Sequence, residues 1–229
     1  MNNELSEKDS TNISSDMLML LCKKKNRTYP DEEIRTFAAK RRRLSIIANE
    51  LEHYWDNVIN ECYSNIGNGQ YILDIDKLSI KIDKASIAID SFVHNAFSLY
   101  DCMLHIINIA LLDGKNRERQ VTSEKITSDM KKSFPKVYEK LDILQESMEF
   151  KYLHDFDIVS KHRGLINSNY SLAMGTEMPS MEGSKIHEFE YDENEYESIW
   201  LHTLKDYVEK YYRLLMEIFK SIYYEMEES

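Results

Sequence analysis

The segment YLHDFDIVSKHRGLI concentrates ionisable side chains among large apolar ones. Successive residues of a helix rotate by about 100°, so His154, Asp157 and Lys161 share one face, and Asp157 can form an ion pair with Lys161. His162 falls over Asp155, seven residues earlier. A histidine beside a carboxylate is held in one tautomer and can act as a general acid or base. The alternative is a solvated polar edge on an amphipathic helix.

A second set of polar side chains lies in the sequence DSFVHNAFSLYD, which has the apolar period of a long helix. Asn95, Ser98 and Asp101 flank its apolar stripe. Buried polar side chains need hydrogen-bond partners. If this helix packs on the first segment, we expect one of these three residues to hydrogen-bond the ionisable groups there.

Sequence motifs give little support to other kinds of catalytic, nucleotide-binding or metal site. The chain has no GxxxxGK[ST], GxGxxG, GxSxG or HExxH sequence. Five further histidines are scattered without the spacing of metal ligands: His53, His94, His105, His187 and His202. We therefore predict neither a metal site nor a cofactor.

The charge of the chain is unevenly distributed. The formal net charge is −11, which argues against a general nucleic-acid coating protein. Residues 23–43 nevertheless carry nine Lys or Arg against three acids, a balance that suits a phosphate backbone or an acidic partner surface. The candidate binding residues are Lys23, Lys24, Lys25, Arg27, Lys40, Arg41, Arg42 and Arg43. The alternative is that this segment pairs with the acidic remainder of its own fold.

The composition favours a helical protein without a membrane span. The 229 residues include only 6 Gly and 3 Pro, whereas sheet proteins use more of both at turns. No apolar run reaches the ~20 residues of a membrane-spanning helix, and the polar N-terminus is unlike a signal peptide. We expect Cys22, Cys62 and Cys102 to be buried, reduced thiols of a cytoplasmic protein.

Apolar periodicity predicts the helices that must position these groups. A short helix is capped by Ser15 or the next residue, and a long helix runs from Pro30 to the glycines of NIGNG. A second long helix covers about residues 77–113, although the alternation in QYILDIDKLSIKID also suits a short hairpin. A capped helix in TSEKITSDMKKSF and a helix that starts at Pro135 lead into the histidine-bearing segment.

The predicted fold class is all-α: a single helical bundle with long first, second and C-terminal helices. Residues 1–14 are predicted to be a disordered tail, residues 15–30 a short basic segment, and residues 31–229 the bundle. Within the connection 167–192, the pieces SLAMG and KIHEFEY could pair as a small β-hairpin. The last helix is expected to start near Glu193.

With these elements in this order, the chain resembles the HEPN superfamily, helical bundles found in prokaryotic toxins, phage-defence proteins and RNA-processing enzymes. The likeness covers about residues 32–227. It includes a polar-studded second helix with LYDCMLHIINIALL, a histidine-bearing helix that ends HRGLI, and a long C-terminal helix. Active members carry an arginine, then four to six residues, then a histidine. The resemblance implies metal-independent RNA cleavage by two copies that meet in a homodimer.

The chain departs from that motif at the arginine. His162 matches the motif histidine, but the arginine positions hold Asp155, Phe156 and Asp157, and Ile158 stands where a polar residue usually follows. Arginine can clamp a phosphate bidentately while histidine moves a proton. A carboxylate at that place would repel the phosphate, which argues against ribonuclease activity in the family's manner.

Three functional hypotheses remain open. The first is a non-catalytic or degenerate HEPN-like module that dimerises and binds RNA or a protein partner. The second is a metal-independent endoribonuclease of a toxin or phage-defence system, with His162 as acid or base. Lys161, Arg163 or the basic segment would then supply positive charge, and Asp157 and His154 are further candidates for its site. The third is a purely structural helical protein.

Overall fold

A computed structural model describes residues 15–55, 61–67, 70–162, 164, 166–173 and 181–228. The chain divides into two compact units. Unit 1 comprises the chain up to Arg43, the segment Asn95–Lys151 and the chain from Glu209 onward, and unit 2 comprises Leu44–His94 and Tyr152–Val208. Four helices contain the boundaries and contribute residues to both units.

Seven α-helices make up most of the described chain. They are α1 (Ser15–Lys24), α2 (Asp31–Glu52), α3 (Ile75–Ala110), α4 (Ser123–Ser133), α5 (Pro135–Glu146), α6 (Met148–His162) and α7 (Leu201–Glu228). The predicted helical character is therefore confirmed, whereas the arrangement as one bundle stays a prediction.

The strands in the described ranges all belong to unit 2 and form three small antiparallel sheets. They are β1 (Tyr63–Gly67), β2 (Gln70–Leu73), β3 (Ser168–Ala173), β4 (Met181–Ile186), β5 (Phe189–Tyr191), β6 (Asn194–Tyr196) and β7 (Ile199–Trp200). β1 pairs with β2, β5 with β6, and β4 lies between β3 and β7. A hairpin within residues 167–192 is confirmed, because β3 pairs with β4. The predicted pairing of SLAMG with KIHEFEY is wrong: Ser171 lies opposite Gly183, and Phe189–Tyr191 pairs with Asn194–Tyr196.

The start of the C-terminal helix was predicted wrongly. A tight hairpin occupies the expected start, because Tyr191 lies opposite Asn194 and leaves only Asp192 and Glu193 in the turn. Asp192 has a φ of +54°, the left-handed conformation that two-residue hairpin turns require and that aspartate tolerates. The helix itself begins at Leu201.

The end of the first long helix was also predicted wrongly. α2 ends at Glu52 rather than continuing to the glycines. Asn65 and Gly67 are poor helix formers, and their segment instead pairs with β2 in a hairpin. The alternation in QYILDIDKLSIKID indicated β2, but the same stretch is helical from Ile75 onward. The second long helix, α3, was predicted correctly to within a few residues.

The short helices follow their sequence signals. The Thr122 side chain caps α4 by accepting a hydrogen bond from the backbone N–H of Lys125 at 3.3 Å. Pro135 is the first residue of α5, where its missing N–H costs nothing. These two helices lead directly into α6.

Each unit has its own core. In unit 2, Trp55, Cys62 and Ala85 form a buried cluster, and the Trp55 indole N–H donates to the Ser184 hydroxyl at 2.9 Å. In unit 1, Tyr211 is fully buried, and its hydroxyl donates to a backbone carbonyl of α3 at 3.3 Å. Trp55 and Tyr211 thus satisfy their polar ends, as burial favours.

The loop between α3 and α4 is held by a polar cluster in unit 1. Asn108 and Asn116 are buried and hydrogen-bond each other. The Asn116 side chain also donates to Asp129 at 3.0 Å, and Lys115 and Lys125 donate to the same carboxylate. These bonds, with Asn116 first, lower the pKa of Asp129 to about 2.

The three cysteines are buried, free thiols, as predicted. Burial raises the pKa of Cys22 and of Cys102, which keeps both in the unreactive thiol form. Of the helices described, none is both long and apolar enough to cross a membrane.

Candidate functional site

The C-terminal part of α6 combines core residues with buried charges. Leu153 and Phe156 are fully buried, and Asp155 and Asp157 are each only 4% exposed. A buried carboxylate is costly unless it is paired or hydrogen-bonded. The partners of these two aspartates therefore decide what this helix can do.

Asp157 is held by two cationic or potentially cationic groups. The Lys161 ammonium donates to its Oδ2 at 2.7 Å, which confirms the predicted ion pair. The Nδ1 of His94, on α3, lies 3.0 Å from its Oδ1. All three residues belong to unit 2. Two partners for one buried carboxylate explain how this aspartate is tolerated inside the fold.

The His94 ring has the arrangement of a proton-transfer group. Its side chain is 54% exposed, whereas its partner carboxylate is almost completely buried. A hydrogen bond from Nδ1–H to a carboxylate leaves Nε2 as the ring nitrogen with a free lone pair. The pair thus presents an oriented imidazole to solvent, which is the chemistry that the sequence suggested for His162.

Asp155 is a structural anchor. It accepts hydrogen bonds from the Tyr196 hydroxyl at 2.6 Å and from the Asn194 side-chain amide at 3.0 Å, both on the β6 strand. The Nδ1 of His154 lies 2.7 Å from its other oxygen. Burial, and then the Asp155 carboxylate, raise the pKa of Tyr196, so this hydroxyl remains a donor. The carboxylate therefore ties α6 to the β5–β6 hairpin.

Asp90 lies one helical turn before His94 on α3, on the same face. Its Oδ1 is buried and has no hydrogen-bond partner within the described chain. Burial raises the pKa of Asp90 to about 6. A carboxyl with one unpaired oxygen and a perturbed pKa, one helical turn from an oriented imidazole, is a typical feature of acid–base sites.

The histidines of α6 differ from their predicted roles. His162 is exposed at the end of the helix and does not hydrogen-bond Asp155, whose partners are described above. His154 bonds to its neighbour Asp155 rather than joining Asp157. Arg163 lies outside the described residues. The structure therefore gives His162 no carboxylate to orient it, within the residues described.

Of the supporting residues predicted on α3, Ser98 has a hydrogen-bond partner in its own helix. The Ser98 hydroxyl donates to the backbone carbonyl of Asn95 in its own helix at 2.9 Å. The predicted bonds of Asn95, Ser98 and Asp101 to the ionisable groups of α6 stay a prediction. His94, one position before Asn95, does hydrogen-bond an α6 carboxylate, that of Asp157.

The basic segment, all of it in unit 1, is partly used inside its own unit. Arg27 donates to the backbone carbonyl of Leu111 at 2.8 Å, and Lys40 donates to a backbone carbonyl of α3 at 3.4 Å. The Arg41 guanidinium lies over the Tyr212 ring, 5.3 Å from its centroid. Of the remaining candidates, Lys25 is partly exposed. The others are fully exposed: Lys23, Lys24, Arg42 and Arg43.

Four of the residues that organise this site were not predicted from the sequence. The four-residue spacing of Asp90 and His94 was visible as a helical pair, but nothing marked it as facing α6. Asn194 and Tyr196 carried no signal, because the expected helix there concealed the hairpin that brings them to Asp155. Long-range pairings of this kind depend on tertiary contacts rather than on spacing.

Comparisons of the chain with protein-family models, with curated proteins and with solved structures each found no match. Functional inference therefore depends on the site itself.

Proposed function

We propose that this chain is a HEPN-like helical module that forms a homodimer and binds RNA without cleaving it. The observation that carries this proposal is which residues occupy the positions where the family's motif has its arginine, and how they are used in the fold. Asp155, Phe156 and Asp157 are all buried, and each carboxylate is neutralised or hydrogen-bonded within unit 2. None of the three positions where the motif has its arginine therefore supplies a cation to clamp a phosphate in the family's manner.

The exposed cations of the basic segment support RNA as the ligand. Arg42 and Arg43 are exposed near the middle of α2, and Lys23 and Lys24 are exposed at the end of α1. Arginine contacts phosphate bidentately, and such contacts bind single strands without sequence preference. The internal partners of Arg27, Lys40 and Arg41 leave these four side chains as the RNA-binding group of the proposal.

An exposed apolar stripe on α3 supports the dimer. Ile80 and Ile87 are 55% and 61% exposed, and with His94 they recur every seven residues. That spacing places the three on one helix face, as in helices that pair with a partner helix. Asp83 and Lys84 lie between the isoleucines, so a twofold axis there would bring opposite charges together. The proposed dimer buries this stripe.

Fluorescence anisotropy with a labelled single-stranded RNA tests the binding. We expect affinity to fall as salt rises, and Arg42→Ala/Arg43→Ala to flatten the slope of log K against log salt by about 1.4, or ~0.7 per lost phosphate contact. The matched control, Arg119→Ala/Lys132→Ala, removes two exposed charges of unit 1 outside the basic segment. Absence of binding at low salt would reject the RNA proposal and favour the purely structural alternative.

Sedimentation velocity tests the dimer separately. We expect Ile80→Glu/Ile87→Glu to shift the protein from dimer to monomer, since charges would be buried at the contact. Ile143→Glu, at a 43% exposed isoleucine of α5, is the matched control and should leave the dimer intact. A wild-type monomer at tens of micromolar protein would contradict the proposed dimer.

One observation favours a second candidate, a metal-independent endoribonuclease. The His94 ring is oriented by the buried Asp157 carboxylate, to which the Lys161 ammonium also donates. Asp90 lies one helical turn before His94. Such an imidazole can move a proton, and a neighbouring ammonium can stabilise phosphate charge. RNA cleavage in EDTA that is abolished by His94→Ala but not by His162→Ala would establish this candidate and reject binding without cleavage.

A further inference from the structure

A small cavity lies in unit 2, apart from the α6 aspartates and their partners. Its volume is about 190 Å³. It is formed where the end of α2 meets β4 and the start of α7, and its lining includes Trp55, Ser184, Trp200 and Lys205. Pockets for drug-sized ligands usually exceed ~300 Å³, so this cavity suits a smaller molecule.

The charged groups of the cavity favour an anion. The Lys205 ammonium is half-buried and forms neither a hydrogen bond nor an ion pair with the described part of the chain. Burial lowers the pKa of Lys205, and the Glu52 carboxylate acts in the opposite direction. Leu201 and His202 are the first residues of α7, and no acidic residue occupies its first turn. Helix N-termini favour negative charge.

The apolar groups favour a planar molecule. Both tryptophans of the chain, Trp55 and Trp200, line the cavity. Trp55 is fixed by its bond to Ser184 and by the Tyr170 ring, whose centroid is 4.7 Å away. Gly183 lines the same wall, and a Cβ there would lie 3.8 Å from the Trp55 ring. Rigid indole surfaces bind flat rings by stacking and apolar contact.

We propose that this cavity binds a small planar carboxylate, with its carboxylate on the Lys205 ammonium and its ring against Trp55 and Trp200. A ligand carboxylate supplies a direct charge-assisted hydrogen bond, which the described residues do not give to Lys205. The ring fills a space too small for a nucleotide or a peptide. Glu52, exposed at the cavity, limits the number of negative charges that the ligand can carry, which favours a monoanion over phosphate.

Tryptophan fluorescence tests this proposal directly, because both tryptophans of the chain line the cavity. With excitation at 295 nm, we expect benzoate to change the emission saturably, with a dissociation constant of about 1 mM or tighter. Benzamide, its neutral analogue, and benzylamine, its cationic analogue, should bind about tenfold more weakly or not at all. No saturable change with benzoate, or equal binding of benzamide or benzylamine, would overturn the proposal.

Substitutions in α7 locate the binding. Lys205→Met removes the ammonium but keeps a helix-forming side chain of similar length, and we expect it to weaken benzoate binding about tenfold. Lys210→Met makes the same change in the same helix at a lysine outside the cavity and should bind benzoate as wild type does. A circular dichroism melt confirms that both variants fold. Equal affinity of folded Lys205→Met and wild type would refute the assignment of Lys205.

Discussion

Removal of the Asp155 carboxylate is the sharpest test of a structural role for the α6 aspartates. In Asp155→Ala, the Tyr196 hydroxyl, the Asn194 amide and the His154 ring lose their shared partner. Hydrogen bonds to a charged group contribute about 1.5–3 kcal/mol each. The three donors are partly exposed and can form hydrogen bonds to water in the variant. The loss of stability is therefore smaller than the sum of the three contributions. We expect a loss of about 3 kcal/mol in the free energy of unfolding.

Urea unfolding followed by circular dichroism at pH 7 measures this loss. Tyr196→Phe removes one of the three hydrogen bonds and should cost about 1.5 kcal/mol. Asp206→Ala is the matched control, because this aspartate of α7 is exposed, and surface changes usually stay within about 0.5 kcal/mol. If Asp155→Ala were as stable as Asp206→Ala, the carboxylate would not anchor the β5–β6 hairpin, and its burial would need another explanation.

Two further predictions concern stability and pH. Because burial raises the pKa of Asp90 to about 6, the folded chain holds a proton that the unfolded chain releases near pH 4, so stability should fall as pH rises from about 4 to 6. Discounted for its half-exposed position, Asp90→Asn should add about 1 kcal/mol at pH 7 in urea titrations; no gain would mean that Asp90 ionises without penalty. The pKa of Asp129 is lowered to about 2, so its pH dependence has the opposite sign. The stability that the Asp129 carboxylate contributes is present above pH 4 and is lost as pH falls toward 2. Thermal melts of Asp129→Asn should show a flatter acid limb than wild type, and an unchanged limb would contradict this.

The sequence predicted those features that depend on neighbouring residues. The Asp157–Lys161 pair followed from its four-residue spacing, and the starts of α4 and α5 followed from a threonine cap and a proline. The burial of the cysteines followed from their character as small hydrophobic side chains. In each case the controlling interaction lies within a helical turn or in composition.

Features that depend on distant residues were not predictable. Helical and strand periodicity both fitted the residues of β2 and the start of α3, and only pairing with β1 fixed the strand. The bond between His94 and Asp157 joins residues 63 positions apart. The cavity beside Lys205 needs β4 and two helices together. No local spacing encodes such contacts. The sequence therefore pointed to His162 as the acid or base, whereas the imidazole that a carboxylate orients is that of His94.

The most direct test of the central claim is the length of RNA recovered after incubation with the protein in EDTA. We expect the wild-type protein to bind labelled RNA at low salt and to leave it at full length. His162→Ala and His94→Ala should behave identically. RNA shortened by the wild type, and left intact by either histidine variant, would contradict binding without cleavage.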